Sequence, residues 1–261
     1  MNDPDLNLAI DIAKRAGALL RAELGKRRQV AFKGSPTDLV TEMDRRVEAL
    51  IIEAIQVECR GDAILSEERG SVGGSSGRRW IIDPLDGTTN YAHGVPIFCV
   101  SIALEVDGLT RLGVAYDPNL DECFVAGRGS GARLNGERLS VSEAGTLNES
   151  LVATGFPYNI RETPRNNLAE SAAFSLRCQG VRRTGSAVLY LCYLAAGRLD
   201  GYWELRVGPW DVAAGALIVE EAGGRVTNLE GGALDPERPA VVASNGRIHD
   251  EMLRVLKEVQ R

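Results

Sequence analysis

Histidine is nearly absent, with only His93 and His249 among 261 residues. Chemistry resting on several imidazoles is thereby excluded, and any catalysis has to come from carboxylates and a hard metal. Cysteine is sparse and scattered. Cys59, Cys99, Cys123, Cys178 and Cys192 are odd in number and show no C-x-x-C spacing. Neither a zinc site nor a disulfide framework is indicated, and a reduced cytoplasm is the simplest home. Positive charge is also short: 30 Lys and Arg face 36 Asp and Glu, a net charge of −6, with no basic stripe or tail. That balance argues against a general affinity for nucleic acid or an anionic membrane, so neither is expected as a partner. No apolar run approaches the ~20 residues needed to span a bilayer. Met1 to Asp5 lacks the basic and apolar regions of a signal peptide.

What remains is ordinary globular material, 44% hydrophobic and 25% charged, enough for one large domain or two closely packed halves. Its most informative stretch is Trp80 to Asn90, WIIDPLDGTTN. Three apolar residues run straight into Asp83, the pattern of a buried strand that delivers its first polar group at its end. Pro84 is expected to stop the strand, and Asp86-Gly87 is a strong turn signal. Two carboxylates ~4 Å apart repel by about 4 kcal/mol at an effective dielectric near 20, so a fold that forces such closeness usually places a cation between them. The bland alternative is a solvated surface turn.

Around this stretch the spacing predicts a helix over Leu6 to Leu24, then a basic loop from Lys26 to Thr37. A second helix begins after Thr41, with Asp44 as capping-box partner and Val47, Leu50, Ile51, Ala54 and Ile55 on its apolar face. Ala63 to Ser66 reads as a strand ending at Glu67-Glu68, and the Gly/Ser-rich Val72 to Arg79 as a mobile loop. Phe98 to Val106, Leu112 to Tyr116 and Cys123 to Gly127 form an antiparallel meander. Gly127 to Gly131 lacks phosphate-loop spacing and reads as a turn. From Leu151 strands and helices alternate: strands at 151–154, 181–184, 200–205, 225–227 and 240–244, helices at 166–178, 186–196, 211–222 and 249–259. The expected division falls between residues 1–147 and 148–261. His249 reads as a solvated surface residue and His93 as a residue near a pocket rim.

Glu67, Asp83, Asp86 and Asp211 all stand where a strand gives way to a turn or helix. Each has a bland reading, for Asp211 a first-turn acid favouring the helix dipole. Taken with Ser66-Glu67-Glu68, WIIDPLDGTTNY (Trp80 to Tyr91), PWDVAAGALIVEEAGG (Pro209 to Gly224) and the run from Lys33 to Asp44, the chain resembles the inositol monophosphatase family over nearly its whole length.

The resemblance implies an α+β fold, a layered αβαβα sandwich with an antiparallel sheet in the first half and an α/β second half. It implies Mg²⁺-dependent, lithium-sensitive hydrolysis of a small phosphate monoester, with two or three Mg²⁺ per site, in a homodimer. Glu67, Asp83, the Leu85 carbonyl and Thr88 would hold a first Mg²⁺. Asp83, Asp86 and Asp211 would hold a second, and a weaker third would sit near Glu67. Asp44 and Thr88 would orient the attacking water, making them, with Glu67, the catalytic set. Gly87, Thr88 and Thr89 would face the phosphate, and Gly185, Ser186, Ala187, Glu204 and Asp211 the polyol. Lys33 could add positive charge, although a solvated lysine is the plainer reading.

The chemistry agrees, since two metals ~3.5–4 Å apart can activate water and stabilise a leaving oxygen without any histidine. An aspartyl-phosphate phosphatase of the haloacid dehalogenase type would space its aspartates one residue apart, whereas Pro84 and Leu85 separate Asp83 from Asp86. An EF-hand fails because Leu85 and Gly87 occupy ligand positions. Inositol phosphate is the expected substrate. The alternatives are fructose 1,6-bisphosphate, histidinol phosphate, 3′-phosphoadenosine phosphate, or an added non-catalytic protein-binding role.

Overall fold

In the computed structural model, which describes residues 3–26, 30–32, 39–235, 237 and 240–259, helix α1 (Pro4–Glu23) opens the chain. Asp3 caps it by accepting from the N–H groups of Asp5 and Leu6, and its Leu6, Ala9, Ile12, Ala13, Ala16 and Leu20 stripe is buried. The segment expected to be a loop carries a short hairpin arm instead, β1 (Val30–Phe32) antiparallel to β2 (Leu39–Thr41). Three-residue strands are too short to leave a periodic signal in the sequence. Lys33 lies outside the described residues. Helix α2 (Glu42–Glu58) starts with the expected capping box, Thr41 with Asp44.

The next eight strands form one sheet: β3 (Ala63–Ser66), β4 (Gly70–Val72), β5 (Arg78–Asp86), β6 (Cys99–Val106), β7 (Leu109–Asp117), β8 (Glu122–Gly127), β9 (Gly131–Leu134) and β10 (Glu137–Arg138). Their spatial order is β10-β9-β8-β7-β6-β5-β3-β4. The pairing is antiparallel except where β3 runs parallel to β5. The Gly/Ser-rich connection into β5 is tied down rather than loose. Ser75 and Ser76 N–H donate to the Gly61 carbonyl, and Asp62 accepts from Ser76 Oγ, Arg78 Nε and Trp80 Nε1.

A 3₁₀ turn (Leu147–Glu149) leads to β11 (Leu151–Thr154). There follow α4 (Leu168–Ser175), β12 (Gly180–Arg182), α5 (Ala187–Ala195), β13 (Gly201–Glu204), α6 (Pro209–Glu221), β14 (Arg225–Thr227), β15 (Val241–Ser244) and α7 (His249–Val259). A short helix, α3 (Thr88–Ala92), sits between β5 and β6. The second sheet has the order β12-β11-β13-β15-β14, parallel around β11 and antiparallel around β15.

Side-chain alternation on the strands sorts the core into layers. Trp80, Ile82, Val100, Ile102 and Val114 face α1 and α2. From the opposite face Cys99, Ala115 and Phe124 meet α5 and α6, which pack in turn on Tyr202, Val241 and Ala243 of the second sheet. Beyond that sheet, Val152, Trp203 and Val242 pack on α4 and α7. The result is an αβαβα sandwich. Each fully buried aliphatic on these stripes contributes about 1.5–3 kcal/mol relative to exposure, which is what binds helix to sheet.

Two details of this packing build the site. A Cβ on Gly113 of β7 would meet Ala214 backbone atoms at 2.8 Å, so glycine lets α6 lie directly on the first sheet. Ile81 and Ala103 complete that contact with Ala213 and Ala214. The first turn of α6, with Asp211, is thereby brought to the end of β5. His249 is not a surface residue. It is 0% exposed, with Nε2 2.9 Å from Thr227 Oγ1 and Nδ1 2.9 Å from Ser244 Oγ. Its position at the start of a strongly amphipathic helix faces inward, which helix periodicity alone does not reveal for a first-turn residue.

Candidate active site

Strand β5 does not stop at Pro84. It runs on to Asp86 through a break in register, with Asp83 opposite Ser101 and Asp86 opposite Cys99. A proline without an N–H is tolerated where the ladder is already interrupted. Asp83 turns back on its own chain, its Oδ1 accepting from Leu85 N–H at 2.9 Å. Gly87 then takes a left-handed conformation (φ 101°), and a Cβ there would lie 2.8 Å from the Ile97 carbonyl.

The register break and the close approach of α6 bring Asp83, Asp86 and Asp211 together, with one carboxylate oxygen of each within 4.8 Å of the others. Among the described residues no cationic side chain is paired with any of the three. Burial, followed by the charges of Glu67 and its fellow aspartates, pushes the Asp83 carboxyl well above the usual carboxylate range. Asp211 is raised for the same reasons. Asp86 is raised by burial to about 6, although three donors oppose the shift. Those donors are Ser186 Oγ, Val188 N–H (2.9 Å) and Ala187 N–H (3.2 Å), so Asp86 also caps α5. Asp211 accepts from Gly208 N–H at 2.5 Å.

This donor set fits a divalent cation. Like charges at this distance repel by about 3–4 kcal/mol per pair, and hard oxygen ligands suit Mg²⁺ rather than a thiophilic metal. Leu85 offers its carbonyl, which accepts from Thr88 Oγ1 at 3.1 Å. Thr88 Oγ1 also lies 2.9 Å from Asp44 Oδ1, and the hydroxyl's one proton is shared between these acceptors. Asp44 is fully buried and held by Thr41 N–H (2.7 Å) and Thr41 Oγ1 (2.5 Å).

Above this floor opens a cavity of about 880 Å³. Of the residues expected at the site, Glu67, Asp86, Gly87, Thr88, Thr89, Gly185, Ser186, Ala187, Glu204 and Asp211 line it, and His93 stands on its wall. Asp44, Asp83 and Leu85 lie beneath the lining, at most 1% exposed. Glu204 is 9% exposed, its carboxylate accepting from Tyr202 Oη at 2.8 Å and raised by burial to about 7. Tyr202 Oη is thus engaged with Glu204 on the side away from solvent.

Sequence reasoning missed several participants. Asn90 Nδ2 donates to the carbonyls of Ile97 (2.8 Å) and Thr184 (2.6 Å), tying α3 to the loop before α5. It belongs to the quoted stretch, but nothing local marks its long-range partner. Gly155 leaves the space in which the Glu204 carboxylate lies, since a Cβ there would overlap it. Phe156, Arg183, Arg206 and Trp210 add an aromatic and basic wall. Glu48, 1% exposed on α2, accepts from the turn that carries Glu67. Its signal was an acid in register with the apolar stripe.

A layered fold that sinks a carboxylate cluster beneath an open cavity offers a divalent-cation site within reach of a small ligand. The sequence profile described as the inositol monophosphatase family matches residues 1–261. An inositol-1-monophosphatase of Synechocystis is 44% identical over 252 residues, covering 96% of this chain and 88% of its own. A Nus factor SuhB of Escherichia coli is 41% identical over 258 residues, covering 98% of this chain and 96% of its own. The solved inositol monophosphatase of Anabaena superposes with a TM-score of 0.87 at 44% identity, covering 97% of this chain and 95% of that one. The chain belongs to the inositol monophosphatase family, whose members are Mg²⁺-dependent phosphatases.

Proposed function

We propose that this chain hydrolyses a small polyol phosphate, most directly myo-inositol 1-phosphate to inositol and inorganic phosphate, as a cytoplasmic homodimer inhibited by lithium. The observation that carries the reading is the meeting of Asp83, Asp86 and Asp211 beneath a cavity whose wall holds Glu204. Glu67, Asp83, the Leu85 carbonyl and Thr88 would hold one Mg²⁺, Asp83, Asp86 and Asp211 a second, and a third would sit near Glu67. Bound Mg²⁺ supplies Lewis acidity toward phosphate oxygens, an easily ionised water and a stabilised leaving oxygen.

The chain's own residues orient the reactants. A Thr88 hydroxyl proton held by Asp44 leaves Oγ1 a lone pair to accept from the attacking water. Gly87, Thr88 and Thr89 take the phosphate side of the cavity, and Gly185, Ser186, Ala187 and Asp211 the polyol side. Glu204 accepts a hydrogen bond from a ring hydroxyl. In this reading residues 1–147 carry most of the metal ligands, and residues 148–261 supply Asp211 and the polyol contacts.

The test is phosphate release from inositol 1-phosphate, fructose 1,6-bisphosphate, histidinol phosphate and 3′-phosphoadenosine phosphate, with Mg²⁺ and with EDTA. Inositol 1-phosphate should give the highest kcat/KM, and only with Mg²⁺. A clear preference for another of the four would replace the substrate assignment. The name Nus factor, borne by the Escherichia coli relative, favours one further reading, an added protein-binding role independent of hydrolysis.

A further inference from the structure

Helix α2 presents two acids one turn apart to the site, Asp44 and Glu48, and both are buried. Asp44 holds Thr88. Glu48 reaches the other wall. Its Oε1 accepts from Ser66 Oγ, from Glu68 N–H at 3.1 Å and from Arg69 N–H at 3.0 Å. Its Oε2 faces Arg69 Nε at 3.4 Å, the one cation against it among the described residues, on a half-exposed side chain. These donors come from the residue before Glu67 and from the two residues after it. Glu67 N–H itself donates to the Ile82 carbonyl at 3.3 Å, next to Asp83. The chain on both sides of Glu67 is therefore tied to a single carboxylate, through the Ser66 side chain before it and the backbone N–H groups of Glu68 and Arg69 after it.

Burying a carboxylate costs several kcal/mol unless its lone pairs are filled, and a tight turn after a strand can be closed by Asn, Gly or water without that cost. A carboxylate that gathers three donors around one residue fixes the backbone position from which that residue's side chain projects. We propose that Glu48 is a positioning residue for divalent-metal binding, holding Glu67 in register with the aspartate cluster. The inference rests on the reading of Glu67 as a metal ligand given above. In this arrangement α2 is a strut. One turn of helix sets the water-orienting pair through Asp44 and the far metal ligand through Glu48.

The test is Mg²⁺ affinity of EDTA-treated protein, measured by titration calorimetry and by the Mg²⁺-dependent rise in Tm, for wild type, Glu48→Gln, Ser66→Ala, Glu67→Gln and the Glu48→Gln/Glu67→Gln double variant. Loss of a group that orients a ligand typically weakens metal binding about 10- to 100-fold, and Glu48→Gln should fall at the lower end of that range. The Mg²⁺ concentration for half-maximal phosphate release should rise by the same factor. In the Glu67→Gln background, Glu48→Gln should have no further effect on affinity, because both act through one side chain. A Glu48→Gln protein with lowered Tm and wild-type Mg²⁺ affinity would overturn the proposal, leaving Glu48 a role in folding alone. An equal loss in both backgrounds would overturn it as well. If Glu48→Gln does not fold, Ser66→Ala decides the matter by the same two readouts. A wild-type protein that binds no Mg²⁺ would instead overturn the functional reading on which the inference stands.

Discussion

Replacing Gly155 by alanine tests the polyol end of the site without touching a charged group. Gly155 follows β11, and a Cβ built on it would overlap both carboxylate oxygens of Glu204. Glu204 is closed in by burial and by its hydrogen bond with Tyr202 Oη, so the methyl cannot be accommodated unless the carboxylate moves. The backbone at Gly155 is not in the left-handed region, so alanine brings no conformational penalty of its own. A hydrogen bond to a charged acceptor is worth about 1.5–3 kcal/mol, so losing the one that a ring hydroxyl donates to Glu204 should lower kcat/KM for inositol 1-phosphate about 10- to 150-fold. An aryl phosphate such as p-nitrophenyl phosphate offers no such hydroxyl, and its turnover should change by less than about threefold on the same reasoning. The assay is paired phosphate release from the two substrates at saturating Mg²⁺. Equal losses on both would mean that Gly155→Ala disturbs the metal centre or the fold. An unchanged rate on inositol 1-phosphate would remove Glu204 from substrate recognition.

Glu204 is raised to about 7, so it gains its charge across neutral pH. The ratio of inositol 1-phosphate to aryl phosphate kcat/KM should climb between pH 6 and pH 8, and Glu204→Gln should flatten that climb. Ser186→Ala removes both the cap of α5 and a donor to Asp86, and should destabilise the protein by about 1–3 kcal/mol in urea unfolding while weakening Mg²⁺ binding. Burial and then the charge of Arg225 hold buried His249 down at about 4, below its ordinary 6.5. The unfolded chain therefore binds the extra proton first, and stability is lost as pH falls from 6.5 toward 4. The loss attributable to this residue should reach about 2 kcal/mol at pH 5. It is read as the difference in pH dependence between wild type and His249→Gln, in which contributions common to both proteins cancel.

Most of the secondary structure was legible because the signals were strong and local. The Thr41–Asp44 capping box, the turn between β7 and β8 and the apolar runs of β6 to β8 each declare themselves within a few residues. Three failures besides the β1–β2 arm have physical causes. Pro84 reads as a strand end because a proline cannot extend a regular ladder, yet here the register slips around it and the strand continues. The Gly/Ser segment before β5 looks loose by composition, but Asp62 gathers three donors and holds it. His249 looks exposed because its partner Thr227 lies 22 residues away, and Ser244, only five residues before it, belongs to a separate strand.

At the site, the acids stood out because each breaks an apolar pattern at an element end. Their mutual distance did not, since it depends on Gly113 admitting α6 to the sheet. The contacts of Gly155 and Glu48 were illegible for a related reason. Each acts on a residue about 20 to 50 positions away in the chain, and no short motif encodes such a pairing.

The central claim is that buried acids far apart in sequence bind Mg²⁺ for phosphate release, and Asp83 is its most exacting test. Asp83→Asn keeps the size of the side chain and removes one charge from a cluster whose members lie within 4.8 Å. Titration calorimetry with Mg²⁺, run beside phosphate release from inositol 1-phosphate, should find tight binding and turnover in the wild type. In Asp83→Asn affinity should fall at least about tenfold and turnover should be abolished. Wild-type affinity together with near-normal turnover in Asp83→Asn would contradict the account.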